Sequence, residues 1–213
     1  RQGGEFYLNG KPIGLSENGI TAFGFDITGK VNLNGENEIA ARIGNRWDYK
    51  EKATGSAFQW NNANFYANYG GINKNVNLYV TDKLYQTLPL YSSFKTTGVY
   101  IYPHDFDVAA RKATVTAETQ VKNEYASAQT VQLEVVVANA DGKVIKTAVA
   151  GKVSIAPGAT QILKADVPLS GVNFWSWGYG YLYDVYTVLK VNGKSVDVVK
   201  TTTGFRKTEF ANG

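Results

Sequence analysis

Residues 174–210, FWSWGYGYLYDVYTVLKVNGKSVDVVKTTTGFRKTEF, decide how this chain is read. A tryptophan-rich loop, Phe174-Trp175-Ser176-Trp177-Gly178-Tyr179-Gly180, feeds two β-prone runs, 181–191 and 195–203, with Asn192-Gly193 between them. Asn-Gly accepts positive φ at both centres of a tight turn, and that turn's twist matches antiparallel strands. The pair therefore predicts a β-hairpin. The chain leaves it through Gly204-Phe205-Arg206-Lys207-Thr208-Glu209-Phe210.

The same grammar extends upstream. Segments 99–102, 113–121, 131–138, 144–155 and 160–167 read as strands, with turns at Asp141-Gly142 and Ala156-Pro157-Gly158. Val115, Ala117, Thr119 and Val121 fall on one face of their strand, as do Leu133, Val135 and Val137 of theirs. With the hairpin this makes roughly seven strands in about 120 residues, the count of an immunoglobulin-like sandwich. Further upstream, 5–8 and 11–15 flank Asn9-Gly10, a second hairpin signature. Segments 21–27, 38–43 and 72–80 also read as strands; Ile39, Ala41 and Ile43 alternate with polar neighbours, and Val76, Leu78 and Val80 share a face. Residues 44–71 are irregular, and 81–88 form a hand-over between two domains. No segment keeps a 3.6-residue apolar period for three turns, so no helix is expected.

Composition narrows the function. The 213 residues carry 44% hydrophobic and 19% charged side chains, which argues for a folded chain with a sizeable core. The formal charge is +4. The lysines are scattered (Lys11, Lys30, Lys74, Lys112, Lys146, Lys190), so the charge serves solubility and no nucleic-acid partner is expected. Cysteine is absent, which removes disulfides, thiolate metal sites and a Cys nucleophile together. No apolar run approaches the ~18 residues of a membrane span. The chain starts Arg1-Gln2-Gly3-Gly4 and holds no Met, so a piece of a longer polypeptide is expected.

Both halves resemble glycoside hydrolase family 2, the β-galactosidase, β-glucuronidase and β-mannosidase group. Trp175-Ser176, Tyr181-Leu182-Tyr183 and Gly204-Phe205-Arg206-Lys207 with Phe210 match, in order and spacing, the end of that family's immunoglobulin-like domain. Four earlier stretches are similar to the second half of its sugar-binding jelly roll: Phe6-Tyr7-Leu8-Asn9-Gly10-Lys11, Gly19 through Thr28, Gly35 through Ala40, and Gly70-Gly71-Ile72 with Val76 and Leu78. Ile20, Ala22 and Asn73 depart from the family's Tyr, Pro and Tyr. The resemblance implies an all-β chain: residues 1–84 as part of a jelly roll, and 85–213 as an immunoglobulin-like sandwich. About five strands in the first part fall short of the roughly eight of a whole jelly roll. It further implies the non-catalytic part of an enzyme hydrolysing β-linked sugars, galactosidase-like, with no cofactor expected. The absence of cysteine leaves the compartment open, and a periplasmic or secreted bacterial location is expected. The chain's partners would be the carbohydrate substrate and a catalytic barrel of the same polypeptide. A free-standing carbohydrate-binding or adhesion protein is the alternative, since fold alone does not separate the two.

Candidate chemistry follows. The family hydrolyses glycosides with two glutamates, and retention sets them about 5 Å apart. The resemblance puts both on the barrel, so Asn37-Glu38 and Asn123-Glu124 read as chance dipeptides and no catalytic residue is expected here. His104, Asp105 and Asp107 read as a strand end facing water, with neither a metal nor a triad. Loop 45–69 reads either as a sugar-facing segment or as an ordinary long loop pinned by its aromatics, and its length favours a functional role. Trp47, Trp60, Phe65, Tyr66 and Tyr69 offer faces for sugar C–H surfaces, while Asp48, Asn61, Asn62 and Asn64 offer groups for hydroxyls. Asp48, Trp47, Trp60 and Asn62 are the candidate substrate-binding residues. Asp48 resembles the acidic residue that a jelly-roll loop presents to substrate in the β-galactosidase branch. Trp175 and Trp177 are expected to pack, and Arg206 to pair with a carboxylate.

Overall fold

The computed structural model describes residues 3–18, 21–46, 48–56, 70–72, 74–89 and 93–209. Among the described residues there is no helix, and hence none long and apolar enough to cross a membrane. The strands are β1 (Gly3–Leu8), β2 (Lys11–Ser16), β3 (Ile39–Gly44), β4 (Leu84–Gln86), β5 (Val99–Asp107), β6 (Lys112–Asn123), β7 (Gln129–Ala138), β8 (Val144–Ile155), β9 (Thr160–Ser170), β10 (Tyr183–Val191) and β11 (Lys194–Thr203). The all-β class stands. Two compact units emerge: Arg1–Leu78 with Tyr91–Lys95, and Tyr79–Leu90 with Thr96–Gly213.

The first unit is built on an antiparallel sheet in the order β2-β1-β3. Asn9 and Gly10 take φ of 50° and 74°, as the hairpin requires. Asn9 also reaches forward: its amide N donates to Glu38 O at 2.9 Å, and its side-chain oxygen accepts from Glu38 N at 2.9 Å. The turn is thereby tied to the entry of β3. Phe6 of β1 is buried, with Phe23 and Phe25 packed on it at ring-centroid distances of 5.0 and 5.2 Å. That corrects the strand expected over 21–27. Its described residues, Thr21 to Ile27, form no ladder, because its alternating phenylalanines roof a sheet face rather than extend the sheet.

The strand expected over 72–80 is also absent among the described residues. Val76, Leu78 and Val80 are 70%, 73% and 86% exposed. An alternating apolar pattern becomes a strand only where a neighbour satisfies its backbone groups, and none of the described residues does so here.

The second unit is a sandwich of the immunoglobulin-like kind. One sheet runs β11-β10-β7-β8. In the other, β6 pairs with β9 along one edge; on the other edge β5 covers its first part and β4 its last. The expected hairpin closes at Asn192 and Gly193, with φ of 49° and 79°. Inward residues Val115, Ala117 and Val121 of β6 meet Val131, Leu133, Val135 and Val137 of β7 and Val185 and Leu189 of β10. Each of these is fully buried.

Within 81–88, where the hand-over is expected, lies a strand. Leu84 of β4 is 1% exposed, and Gln86 is a buried stitch between the sheets. Its carboxamide accepts from Thr119 Oγ1 at 3.0 Å on β6 and donates to Thr187 O at 3.0 Å on β10. Its backbone N donates to Asp197 Oδ2 on β11 at 2.7 Å.

Asn123 ends β6 as a second buried hub. Its Nδ2 lies 2.9, 3.0 and 3.2 Å from the carbonyls of Ile155, Ser127 and Ala156, and its Oδ1 accepts from Tyr125 N at 2.9 Å. Removing it orphans buried carbonyls, and each unsatisfied group costs about 1–3 kcal/mol. Asn123→Ala is therefore expected to lower unfolding stability by roughly 2–4 kcal/mol, with an unchanged urea m-value. The neighbouring surface change Glu124→Gln should stay within about 0.5 kcal/mol.

Candidate functional site

The candidate site begins where β3 ends. Arg46 grips Asp48 with a two-pronged fork, Nε to Oδ1 at 3.0 Å and Nη2 to Oδ2 at 2.8 Å. Both side chains are solvent-exposed, at 78% and 44%. A planar guanidinium matches a carboxylate bidentately, so the pair fixes the direction in which Asp48 points. An exposed pair of this kind adds little to stability. Trp47, Trp60 and Asn62 lie outside the described residues, as do the other aromatics of 57–69. Of the four candidate residues, the structure thus places Asp48.

Next to it stands Tyr49, which sequence reasoning passes over. Its ring lies across Gly3 and Gly44, which face each other as the terminal pair of β1 and β3. A side chain at Gly3 would overlap the phenol, and one at Gly44 would come within 3.3 Å of the ring. Tyr49 Oη donates to Glu17 Oε1 at 2.6 Å. Partial burial, then the bond to Glu17 and the charges of Glu17, Glu5 and Glu51, push its pKa up to about 12. Beside it, Lys52 and then Tyr7 hold the Glu5 carboxyl below its usual value by hydrogen bonding. Two glycines paired at a sheet end are the available sequence signal for such a seat.

The two Asn-Glu dipeptides are used locally. Asn37 Oδ1 accepts from Asn32 N at 2.7 Å, and its Nδ2 donates back to Asn32 O at 2.8 Å, which shapes the turn before β3. Asn123 is the hub already described, and Glu124 Oε1 accepts from Tyr85 Oη at 3.1 Å.

His104 has a superficial triad around it: Nδ1 is 2.8 Å from Asp105 Oδ2, and Nε2 is 2.7 Å from Thr116 Oγ1. Thr116, however, is 1% exposed and donates its proton to Asp166 Oδ1 at 2.6 Å. The ring can then only donate to that hydroxyl, which reverses what a base acting on a nucleophile requires. Among the described residues no three His, Asp or Glu side chains gather to hold a metal ion.

At the other end of the chain, no carboxylate among the described residues pairs with Arg206. Its guanidinium sits 5.3 Å from the Trp175 ring centroid, a cation–π contact. Trp175 packs as expected, but Trp177 does not: it is 97% exposed at the tip of a turn closed by Ser176 and Tyr179.

The fold defines a protein of the immunoglobulin-like β-sandwich class. Residues 96–206 match the family described as Glycosyl hydrolases family 2, and the chain belongs to that family. A β-glucuronidase of Formosa agariphila is 30% identical over 211 residues, covering 99% of this chain and 21% of that protein. A solved β-glucuronidase of glycoside hydrolase family 2 superposes with a TM-score of 0.87 at 29% identity, over 97% of this chain and 21% of that one. A putative β-galactosidase from Bacteroides fragilis follows at 0.78 and 28%, over 98% and 29%. The chain thus spans about a fifth to a quarter of the length of the curated relatives it matches.

Tyr49 gives the site a pH signature. An unfolded phenol loses its proton near pH 10, whereas the folded one holds it to about 12. Whatever stability this group contributes is complete below pH 10 and lost as pH climbs through 12, because only the unfolded state releases the proton early. In an alkaline absorbance titration, Tyr49→Phe should remove one late-ionising phenol. It should also flatten the fall in stability across that window.

Proposed function

We propose that this chain is the non-catalytic, substrate-proximal portion of a longer family 2 glycosidase that hydrolyses β-linked glucuronides or galactosides. The observation that carries the reading is coverage. Nearly the whole chain matches a β-glucuronidase, yet the match takes up 21% of that relative. Local structure supports it, since Asn37 and Asn123 are spent on holding turns.

On this reading the sandwich braces a catalytic barrel of the same polypeptide, which carries the acid/base and the nucleophile. The loop after β3 forms one wall of the active site. Asp48 accepts hydrogen bonds from substrate hydroxyls and orients the sugar without joining bond cleavage. A bonded carboxylate is worth most where neighbouring protein excludes water.

Two experiments test the reading. The purified chain should not turn over nitrophenyl β-glucuronide or β-galactoside. Turnover abolished by Glu38→Gln or Glu124→Gln would overturn the non-catalytic role. In the full-length enzyme, Asp48→Asn should keep the melting temperature and lower kcat/KM. The loss of one charged hydrogen bond, about 1.5–3 kcal/mol, corresponds to roughly ten- to a hundredfold. Wild-type kcat/KM with a lowered melting temperature would remove Asp48 from the site. A parent polypeptide that lacks a barrel but binds these sugars would favour the binding-protein alternative.

A further inference from the structure

Aiming one carboxylate from a long loop is an entropic problem. Each unpinned residue adds backbone freedom to be lost, and a small misplacement of a contact weakens its effect on a reaction steeply. The loop after β3 must therefore be pinned close to Asp48 if Asp48 works on a substrate. The described residues show such a pin one position away.

We infer that Tyr49, clamped between the Gly3–Gly44 seat and Glu17, is the positioning residue for Asp48. This rests on the reading of Asp48 given above. The seat comes from the backbone: Gly3 and Gly44 pair across β1 and β3, and the absence of both side chains lets the ring lie on the sheet end. Glu17, just past β2, sets the ring's rotation by accepting from the phenol at 2.6 Å. The same carboxylate oxygen accepts from Lys52 N at 2.8 Å, and the Lys52 ammonium pairs with Glu5 of β1.

Beyond that, the loop closes on itself. Glu51 N donates to Ser56 O at 3.0 Å, Gly55 N to Glu51 O at 2.8 Å, and Thr54 Oγ1 to Glu51 Oε2 at 2.9 Å. Tyr49 N also donates to Arg46 O at 3.2 Å, so the turn bearing Asp48 is bracketed from both sides. The clasp sets where the Asp48 backbone lies, and the Arg46 fork sets where its carboxylate points. The bonds are directional and the loop around them is largely exposed, so the clasp controls geometry more than it adds buried area.

The test uses the full-length enzyme and four variants: Tyr49→Phe, Glu17→Gln, Asp48→Asn, and Tyr49→Phe combined with Asp48→Asn. Tyr49→Phe keeps the ring on its seat and removes one hydrogen bond. It should lower kcat/KM on nitrophenyl β-glycosides about two- to tenfold, with the melting temperature little changed at neutral pH. Glu17→Gln, which keeps an acceptor but loses its charge, should have a smaller effect of the same kind, and it serves as the probe if Tyr49→Phe misfolds. The decisive readout is coupling. If Tyr49 acts through Asp48, the double variant should be no worse than Asp48→Asn alone. Losses that multiply independently would overturn the inference. So would wild-type kinetics in Tyr49→Phe and Glu17→Gln while Asp48→Asn is impaired, which would leave the Asp48 reading intact. Wild-type kinetics in Asp48→Asn would sink both.

Discussion

The second unit is organised around the burial of Phe205. It heads the fully buried side chains of the described residues in size, and its ring lies 4.7 Å from that of Tyr183. Its backbone is enclosed as well: Phe205 bridges Phe174 in parallel, and its carbonyl accepts from Trp175 N at 2.7 Å. Gly204 before it leaves little room for a side chain. A Cβ there would lie 3.2 Å from Leu182 Cδ2, 3.3 Å from Tyr181 O and 3.4 Å from Trp175 Cβ. The three segments of this unit that carry the resemblance to family 2, the Trp-Ser loop, the Tyr-Leu-Tyr entry to β10 and the Gly-Phe-Arg exit, are therefore one packing unit. Scattered in sequence, they meet around a single ring.

A sandwich whose only inter-sheet contacts are aliphatic leaves the sheets free to slide at low cost, because apolar attraction has little direction. A chain without cysteine cannot staple them covalently. Gln86 supplies direction instead. It binds β6 on its own sheet and both β10 and β11 on the other, and these bonds are satisfied in a dry interior where an unpaired amide would cost about 1–3 kcal/mol. A shifted register would break several of them at once. Buried and bonded to both sheets, Gln86 thus limits the sliding that the valines of β6, β7 and β10 tolerate.

What the sequence made legible was local. Asn9-Gly10 and Asn192-Gly193 were readable because the turn geometry resides in the two residues themselves. Segments 21–27 and 72–80 misled for a shared reason: alternation reports that a face is apolar and is silent on whether a partner strand exists. Phe23 and Phe25 use that face to cover Phe6, whereas Val76 and Leu78 leave it open to solvent. β4 escaped notice because three residues, Leu-Tyr-Gln, carry no period, and its decisive bond spans 111 positions to Asp197. Asp48 was singled out through resemblance alone. The Tyr49 clasp was not legible, since it joins residues 32 and 47 positions apart that share no motif.

The Arg46 fork bears on what Asp48 can do. An ionised carboxylate offers about four lone-pair positions, and a bidentate guanidinium takes two of them. Two remain for a sugar. If a bare carboxylate were closed against a substrate and a protein wall, desolvation would cost several kcal/mol before any hydroxyl was bound. Paired in advance, Asp48 would enter such a site with its charge already compensated and its orientation set. Removing Arg46 would expose that cost, whereas removing Asp48 would leave a guanidinium with no partner in its own turn. On the proposed reading the ion pair is therefore worth little to the fold, as its exposure indicates, and its value lies in presenting a carboxylate that a sugar can use.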